Sequence, residues 1–479
     1  MLNQLHRMGA LVLIFSLFAL QSTVHSSVRV SAHVTDSRTG AGIVMVNVLV
    51  LGTSQGTVTD TEGRFNLVLE PGQSLQLRHI AYQEMTHVVR VDDLGEGAFL
   101  ELSLEPRYLL GEQVFVSATR GREDLTPAAF STLTQQDLST VTVEDVPMAL
   151  SGLPGVYAFS DAGNGVGYTY LKIRGFDQDR IAVMINGIPM NDPESHQVYW
   201  VDHGDILAGT GSVQVQRGVG NSLYGTAAFG GSVNLVTSPR AMPEGLTLTT
   251  GYGDFTDTGF SAPSRKLALK WSGQPLAGRP FTLYGRYSRI RSDGYRLGSG
   301  TDQDAFHIIG EYLQPEASTR LELISGSEVT HFSWDGVIPL YGYDLDDRTA
   351  RRYNFYADSS FNGGLTNANK DVFIQNIASL QHARQLGAGV FSLSLYGVTG
   401  WGYFEQFKGG RDLWEYNLID VLPETVEKAD IIRRRWLVNG YWGVIPQYTL
   451  RGAWGLTVLG GDARFYNADH YGRVLSVDG

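Results

Sequence analysis

The stretch that decides the fold runs from Leu171 to Thr237. It contains Leu171-Lys-Ile-Arg174-Gly175-Phe176 and Arg180-Ile-Ala-Val-Met-Ile-Asn186-Gly187-Ile-Pro189. It continues with Ser212-Val-Gln-Val-Gln-Arg217-Gly218 and Leu223-Tyr224-Gly225-Thr-Ala-Ala-Phe-Gly-Gly-Ser-Val-Asn-Leu-Val236. Ile181, Val183 and Ile185 alternate as a strand that enters Asn186-Gly187, a pair suited to the positive φ angles of a two-residue hairpin turn. Val213 and Val215 predict a second strand, and Val233 and Leu235 a third. Upstream, Val143 to Val156 reads as a short helix stopped by Pro154-Gly155. Short β-pattern runs between glycine turns, none apolar enough for a membrane helix, predict a small soluble α+β domain.

The surrounding composition favours strands. The chain has 479 residues, 57 glycines, and 44 tyrosines and phenylalanines (23 and 21), a mix better suited to strands, turns and aromatic surfaces than to helix bundles. The net charge is −12 with no strongly basic domain, which argues against a nucleic-acid partner. Cysteine is absent, which excludes disulfides, thiolate metal sites and cysteine nucleophiles.

At the N-terminus, His6 and Arg7 precede the apolar run Ala10 to Leu20, and Val24-His25-Ser26 follows as a cleavage tripeptide. This order of charged, apolar and small residues predicts a secretory signal peptide over residues 1–26. Eleven apolar residues are too few to span roughly 30 Å of hydrocarbon. An exported chain without a membrane helix is either soluble or a β-barrel.

Residues 27–105 alternate at period two through Val28 to Val34, Val46 to Val50, Phe65 to Leu69, Leu75 to Leu77 and Leu100 to Leu104, with glycine turns between. The pattern predicts a small antiparallel β-sandwich. The run from Val34-Thr-Asp36 through Gly52-Thr, Gly56-Thr-Val-Thr-Asp and Gly63-Arg-Phe65 resembles the carboxypeptidase-regulatory-like domain, a module without catalytic residues. A generic sandwich adhesion module would share the same fold. Residues 106–126 lose the alternation. Gln113, Val114, Phe115, Val116, Ser117 and Ala118 form a short extended segment that is similar to a TonB box, and an ordinary linker strand would look alike. A strand of this kind joins a partner sheet through main-chain hydrogen bonds and so tolerates side-chain variety.

Over residues 127–238 the ordered array of Leu153-Pro-Gly-Val, Ile173-Arg-Gly, Arg180 to Pro189, Val213 to Gly218, Leu223-Tyr-Gly and Ala228 to Thr237 closely resembles the plug of TonB-dependent outer-membrane receptors. The resemblance implies structural and gating positions at Arg174, Gly175, Asn186, Gly187, Arg217, Gly218, Tyr224 and Gly225. It implies that Arg174 and Arg217 meet barrel carboxylates; solvated or backbone-capping arginines are the alternative. Two departures stand out: Asn186 where the family usually has aspartate, and Gln214 where it usually has an acid, which removes a charge near Arg217.

From residue 241 to 479 one face of each run is apolar and the other polar, as in Leu246/Leu248, Leu267/Leu269/Trp271, Phe281/Leu283, Phe391/Leu393/Leu395 and Trp454/Leu456/Val458. That is the pattern of a transmembrane antiparallel β-barrel wall, although a soluble sandwich can also alternate. Long connections are expected at about 328–370 and 404–430. In the first, His331, Trp334, Tyr341, Tyr343, Arg351 and Arg352 are ligand candidates, able to stack on and pair with a bulky ligand or simply to pack the loop. About ten strands are counted here. Plugged transporters have 22, so the chain is expected to be the front part of a longer protein, since an open wall would leave an unpaired edge in lipid.

No phosphate loop, dinucleotide fingerprint or nucleophile–base pair is present, so no cofactor and no enzyme are expected. Asp192, Glu194, His196, Asp202 and His203 match no zinc or calcium spacing and read as a polar loop at the plug apex. What the resemblance implies is a mainly β, monomeric receptor in the outer membrane of a Gram-negative cell, with its N-terminal domain in the periplasm and outer-membrane lipid around it. Its partners would be TonB with the ExbB/ExbD energy-transducing complex, and a small scarce ligand, foremost an iron–siderophore. Cobalamin or an oligosaccharide is the alternative within the family. A surface ligand-binding, sensing or adhesive protein that transports nothing is the alternative outside it.

Overall fold

A computed structural model of the chain describes residues 27–37, 40–79, 82–94, 99–105, 120–121, 128–141, 145–219, 228–257, 260–276, 280–314, 316–336, 348–357, 368–387, 389–419, 426–452 and 455–478. The expected signal peptide and TonB-box segment, Tyr224, Gly225, Tyr341 and Tyr343 lie outside the described residues. The chain divides into two compact units after residue 109.

The first unit contains β1 (Val28–Asp36), β2 (Asn47–Val50), β3 (Gly56–Val58), β4 (Arg64–Leu69), β5 (Ser74–Arg78), β6 (Met85–Val88) and β7 (Phe99–Leu104). Two sheets form, in the orders β4-β1-β7 and β3-β2-β5-β6. The alternating residues foreseen as inward make one core, with Val30, Val34, Val48, Leu69, Leu75, Leu77 and Leu102 all buried. The expectation of a wholly antiparallel sandwich needs correction: β7 runs parallel to β1. Those two strands are separated in sequence by the whole second sheet, so no hairpin ties their directions together.

The second unit begins with a sheet of β8 (Ala129–Thr134), β11 (Ile181–Ile185), β12 (Ile188–Pro189), β13 (Thr210–Arg217) and β14 (Gly231–Thr237), in the order β12-β11-β14-β13-β8. β9 (Val156–Ser160) and β10 (Thr169–Ile173) pair beside it. The expected helix is shorter than its pattern, Val146–Leu150. Proline at its start and the Pro154-Gly155 turn beyond it leave room for little more. β11 is buried along its whole length, and Leu171, Ile173, Val213, Val215, Val233 and Leu235 complete its core. Asn186 and Gly187 take φ angles of 52° and 81°, and Ile185 pairs with Ile188 across them. This is the two-residue turn expected from the sequence.

Around this sheet runs a ten-stranded antiparallel wall. Its strands are β15 (Gly245–Asp257), β16 (Phe260–Gly273), β17 (Phe281–Ser292), β18 (Thr301–Leu313), β19 (Ala317–His331), β20 (Lys370–Leu386), β21 (Gly389–Asp412), β22 (Lys428–Gly452), β23 (Gly455–Gly460) and β24 (Ala463–Asp478). Each strand pairs with the next as far as β23, and β24 pairs with β22. Outward positions are apolar and exposed, among them Leu246, Leu267, Phe306, Ile308, Leu323, Leu380, Trp401 and Trp442. Inward positions are polar yet buried against the central sheet, among them Arg286, Gln303, His307, Glu311, Arg320, Glu322 and Gln381. An apolar exterior around a polar interior is the reverse of a water-soluble protein and fits a strand wall facing lipid. Among the described residues no helix is long and apolar enough to cross a membrane.

The connection expected at 404–430 is shorter than foreseen. β21 and β22 continue their ladder to Asp412 and Lys428, with one irregularity between Lys408 and Arg411. The polar residues there belong to strands that keep pairing, and polarity alone mimicked a loop.

Candidate functional site

The central sheet is held to the wall by buried polar groups. The Asn186 amide nitrogen donates to Glu322 Oε2 at 2.5 Å and to Thr237 Oγ1 at 2.8 Å, while its carbonyl oxygen accepts from the Thr237 backbone N–H at 3.0 Å. Glu322 Oε1 accepts from Thr237 Oγ1 and lies 2.8 Å from His307 Nε2, and Arg320 donates to Thr237. Gln381 of β20 donates to the Asn186 backbone carbonyl at 2.9 Å. These groups explain the departure at position 186: an amide can donate to Glu322, whereas an aspartate would set carboxylate against carboxylate.

A second attachment centres on Asp205, a left-handed residue at φ 55° in the loop before β13. Its carboxylate meets Lys266 Nζ at 2.5 Å and Arg286 Nη1 at 3.4 Å, and the three side chains are 6%, 6% and 1% exposed. A third pairs Arg240 with Glu311 at 2.7 Å. Near the other end, Asn164 Nδ2 donates to Ser292 Oγ at 2.6 Å. Arg296, between β17 and β18, donates to the carbonyls of Asp161, Ser333, Asp335 and Tyr353. One guanidinium thus joins the central sheet's loop to the long connection after β19. Burial holds the Asp161 carboxyl up at about 6, against the lowering effect of the hydrogen bond from Tyr170.

A cavity of about 670 Å³ lies between the central domain and the wall. Asp192, Glu194, Tyr199 and Asp202 form one side, and Asp371, Phe373, Phe404, Arg433, Arg435 and Asn439 line it from the strands. A smaller adjoining space of about 180 Å³ is bounded by Tyr168, Tyr170, Trp200, Trp334 and Phe404. Trp334 stacks on Phe332 with centroids 4.2 Å apart, and Phe404 and Tyr356 meet it edge-on. Glu194 accepts from Tyr466 at 2.8 Å and lies 3.0 Å from His470, both on β24. Aromatic faces among charged and amide groups can hold a flat or bulky polar ligand.

The residues singled out from sequence separate. Trp334 bounds the smaller space that adjoins the cavity. His331 pairs with the Gly300 carbonyl, and Arg352 lies 2.9 Å over the Phe260 ring and donates to Tyr295, so both pack the connections instead. Arg351 sits in the short helix Arg348–Arg351 and is exposed. Arg174 and Gly175 form a tight turn with φ 51° and 84°. Arg217 donates to Ser131 Oγ at 2.7 Å and to the Pro154 carbonyl at 3.3 Å, and the Gly218 N–H donates to Gly230. Among the described residues the contacts of Arg217 stay within the central domain. Among the described residues, Asp205 and Arg240 make buried or half-buried ion pairs to the wall, and Glu194 meets His470 of β24 at the surface. Gln214, the other departure, spends its amide on Gly121: it accepts from the Gly121 N–H at 2.7 Å and donates to the Gly121 carbonyl at 3.1 Å. It therefore clamps the chain where residues 106–119 lead into the domain. Among the described residues no acidic or histidine cluster is placed to hold a metal ion.

Comparison with known proteins agrees with this architecture. Residues 122–232 match the TonB-dependent Receptor Plug Domain, and residues 30–116 match the CarboxypepD_reg-like domain. The vitamin B12 transporter of Vibrio cholerae serotype O1 is 30% identical over 145 residues, 30% of this chain and 23% of that protein. The ferrienterobactin receptor of Escherichia coli K12 is 24% identical over 282 residues, 54% of this chain and 35% of that receptor. Among solved structures, the unliganded ferric citrate transporter FecA superposes with a TM-score of 0.56 at 18% identity, covering 74% of this chain and 50% of that one. The chain thus spans half or less of the length of these relatives.

Proposed function

From the premise that this chain belongs with the TonB-dependent outer-membrane receptors, non-enzymatic transporters whose plug it carries inside part of a receptor barrel, we propose that it serves active uptake of a scarce ligand. The ligand enters the cavity above the plug, and TonB, driven by ExbB/ExbD, pulls a strand at Gln113–Ala118 from the periplasm. The observation that carries this reading is the plug–wall interface. At Asn186, Thr237, Glu322 and Asp205 it is polar, buried and paired, beside an apolar contact in which Ile324, Ile377 and Val398 of the wall join the plug core. Paired polar groups of this kind fix one arrangement of plug and wall, and each is costly to leave unpaired, so the attachment is strong until the groups are separated together.

The clamp at Gln214 supplies the link between the two ends. Tension on residues 106–119 reaches the plug sheet at Arg120, which donates to Ser212 Oγ at 2.8 Å, and at Gly121, which Gln214 grips. Ligand seat and pulled strand are then two sites coupled through one domain. An iron–siderophore is the proposed cargo, supported by the distant ferrienterobactin receptor; the vitamin B12 transporter keeps cobalamin as the second reading. Deleting Gln113–Ala118 is expected to abolish uptake and spare surface binding. Normal uptake by the deletion strain would remove the TonB step. Growth of a knockout on defined iron, cobalamin and glycan sources separates the cargoes, and growth unchanged on all of them favours a surface protein that transports nothing.

A further inference from the structure

The smaller space of about 180 Å³ shares Tyr168, Tyr199 and Phe404 with the cavity beside it. The plug supplies most of its boundary, including Tyr170, Gln178, Gln197 and Trp200. Phe404 of β21 and Trp334, in the connection after β19, complete it from the wall side. None of the described residues that bound it is charged. An apolar cavity of roughly 150 Å³ admits benzene, so a space of this size takes one substituted ring.

Several polar groups around this space are spent within the protein. The Tyr168 hydroxyl donates to Asp371 and the Tyr170 hydroxyl to Asp161. Gln178 Nε2 donates to Gln197 Oε1 at 2.9 Å. Two groups have no partner: Gln178 Oε1, an acceptor, and Trp200 Nε1, a donor. Their residues both bound the space and are 8% and 3% exposed. Both stand on short turns of the plug, Gln178–Arg180 and Trp200–His203. The first is tied down where the Gly230 N–H donates to the Arg180 carbonyl. The second is pressed against β19, where a β-carbon on Gly326 would collide with the Asp202 carbonyl. The two groups are therefore fixed in place. A buried polar group without a partner is costly, and a guest that pairs with it recovers the cost. The guest must be uncharged, since no counter-charge lines the space, and flat, to lie among aromatic faces.

We propose that this space is a subsite for an uncharged ring of the transported ligand that carries a hydroxyl or a carboxamide. That group accepts a hydrogen bond from Trp200 Nε1 and donates one to Gln178 Oε1. The proposal rests on reading the adjoining cavity as the ligand seat. Charged parts of the ligand stay in the larger cavity, whose lining includes Asp192, Arg433 and Arg435. An occupied subsite also bridges the two plug turns to Trp334 and Phe404, so the ligand's neutral end touches plug and wall together.

The test uses the full-length receptor in detergent, empty micelles as the control, and fluorine NMR of four probes: para-fluorophenol, para-fluorobenzamide, fluorobenzene and para-fluorobenzoate. The phenol or the benzamide is expected to bind about tenfold more tightly than fluorobenzene, with the benzoate weakest. Trp200→Phe, which keeps an aromatic ring, and Gln178→Met, which keeps the chain length, are each expected to remove most of that preference while fluorobenzene still binds. Fluorobenzene bound as tightly as the phenol and the benzamide overturns the proposal: water alone then satisfies the two groups, and the cavity keeps its role as the ligand seat. Tightest binding of the benzoate, or a preference that survives either substitution, overturns it in the same way. Binding of none of the four overturns both the subsite and the seat.

Discussion

Replacing Asn186 by aspartate isolates the plug–wall interface in a single atom exchange. The backbone is unaffected in principle, because aspartate also tolerates φ near 52°. The carboxylate keeps the acceptance from the Thr237 N–H and loses both donations, one to Glu322 at 2.5 Å and one to Thr237 Oγ1 at 2.8 Å. A hydrogen bond to a charged acceptor is worth about 1.5–3 kcal/mol and a neutral one about 0.5–1.5 kcal/mol, so the loss is about 2–4.5 kcal/mol. The new carboxylate also faces Glu322, and the pair must take up a proton to remain buried. Hydrogen exchange at the amides of Ile185 to Ile188 should therefore quicken by roughly thirty- to two-thousandfold at neutral pH. The double variant Asn186→Asp with Glu322→Gln restores a donor opposite an acceptor and should recover most of the protection. Unchanged exchange in the single variant, or no recovery in the double, would refute the reasoning.

Three further outcomes are expected. Asp205→Asn leaves Lys266 and Arg286 buried without their counter-charge and should weaken the plug–wall attachment by about 3–5 kcal/mol, seen as plug unfolding at lower urea than the wall. The Asp161 carboxyl titrates near 6 in the folded protein against 3.8 in its ordinary state. Its contribution is therefore full below about 3.8 and is lost as pH rises through about 6; Tyr170 fluorescence or NMR shifts should follow that window and lose it in Asp161→Asn. Gly326→Ala drives a methyl group into the Asp202 carbonyl and should loosen the Trp200–His203 turn, measured as faster exchange there with the wall strands unchanged.

Much of the fold was legible because it is written in two periods. Alternation distinguished the lipid side from the lumen side on β15 to β21, and Asn186-Gly187 declared its turn through the φ angles that only such residues accept. The direction of β7 was not legible, since parallel pairing across a second sheet leaves no local mark. The extension of β21 and β22 was hidden by polar residues that resemble a loop. The site was less legible than the fold. Sequence parity places Glu322 and Asp371 on the inner face, but Thr237, Asn186 and Tyr168, which bond to them, come from the central domain 85 to 203 residues away. Arg296 carried no signal, because its four acceptors are backbone carbonyls, which every residue possesses. The expectation that Arg217 would meet the wall came from resemblance, and its described partners prove to be Ser131 and Pro154.

The most direct measurement of the central claim, a plug that must move within its wall for cargo to pass, exploits the absence of cysteine. Asn164 and Ser292 stand with side chains 2.6 Å apart across the plug–wall boundary, and cysteines at both positions can be oxidised to a single crosslink in whole cells. The crosslinked receptor is predicted to bind ligand at the surface and import none, with import returning when a reductant is added. Undiminished import through a receptor proven to be crosslinked would contradict the account.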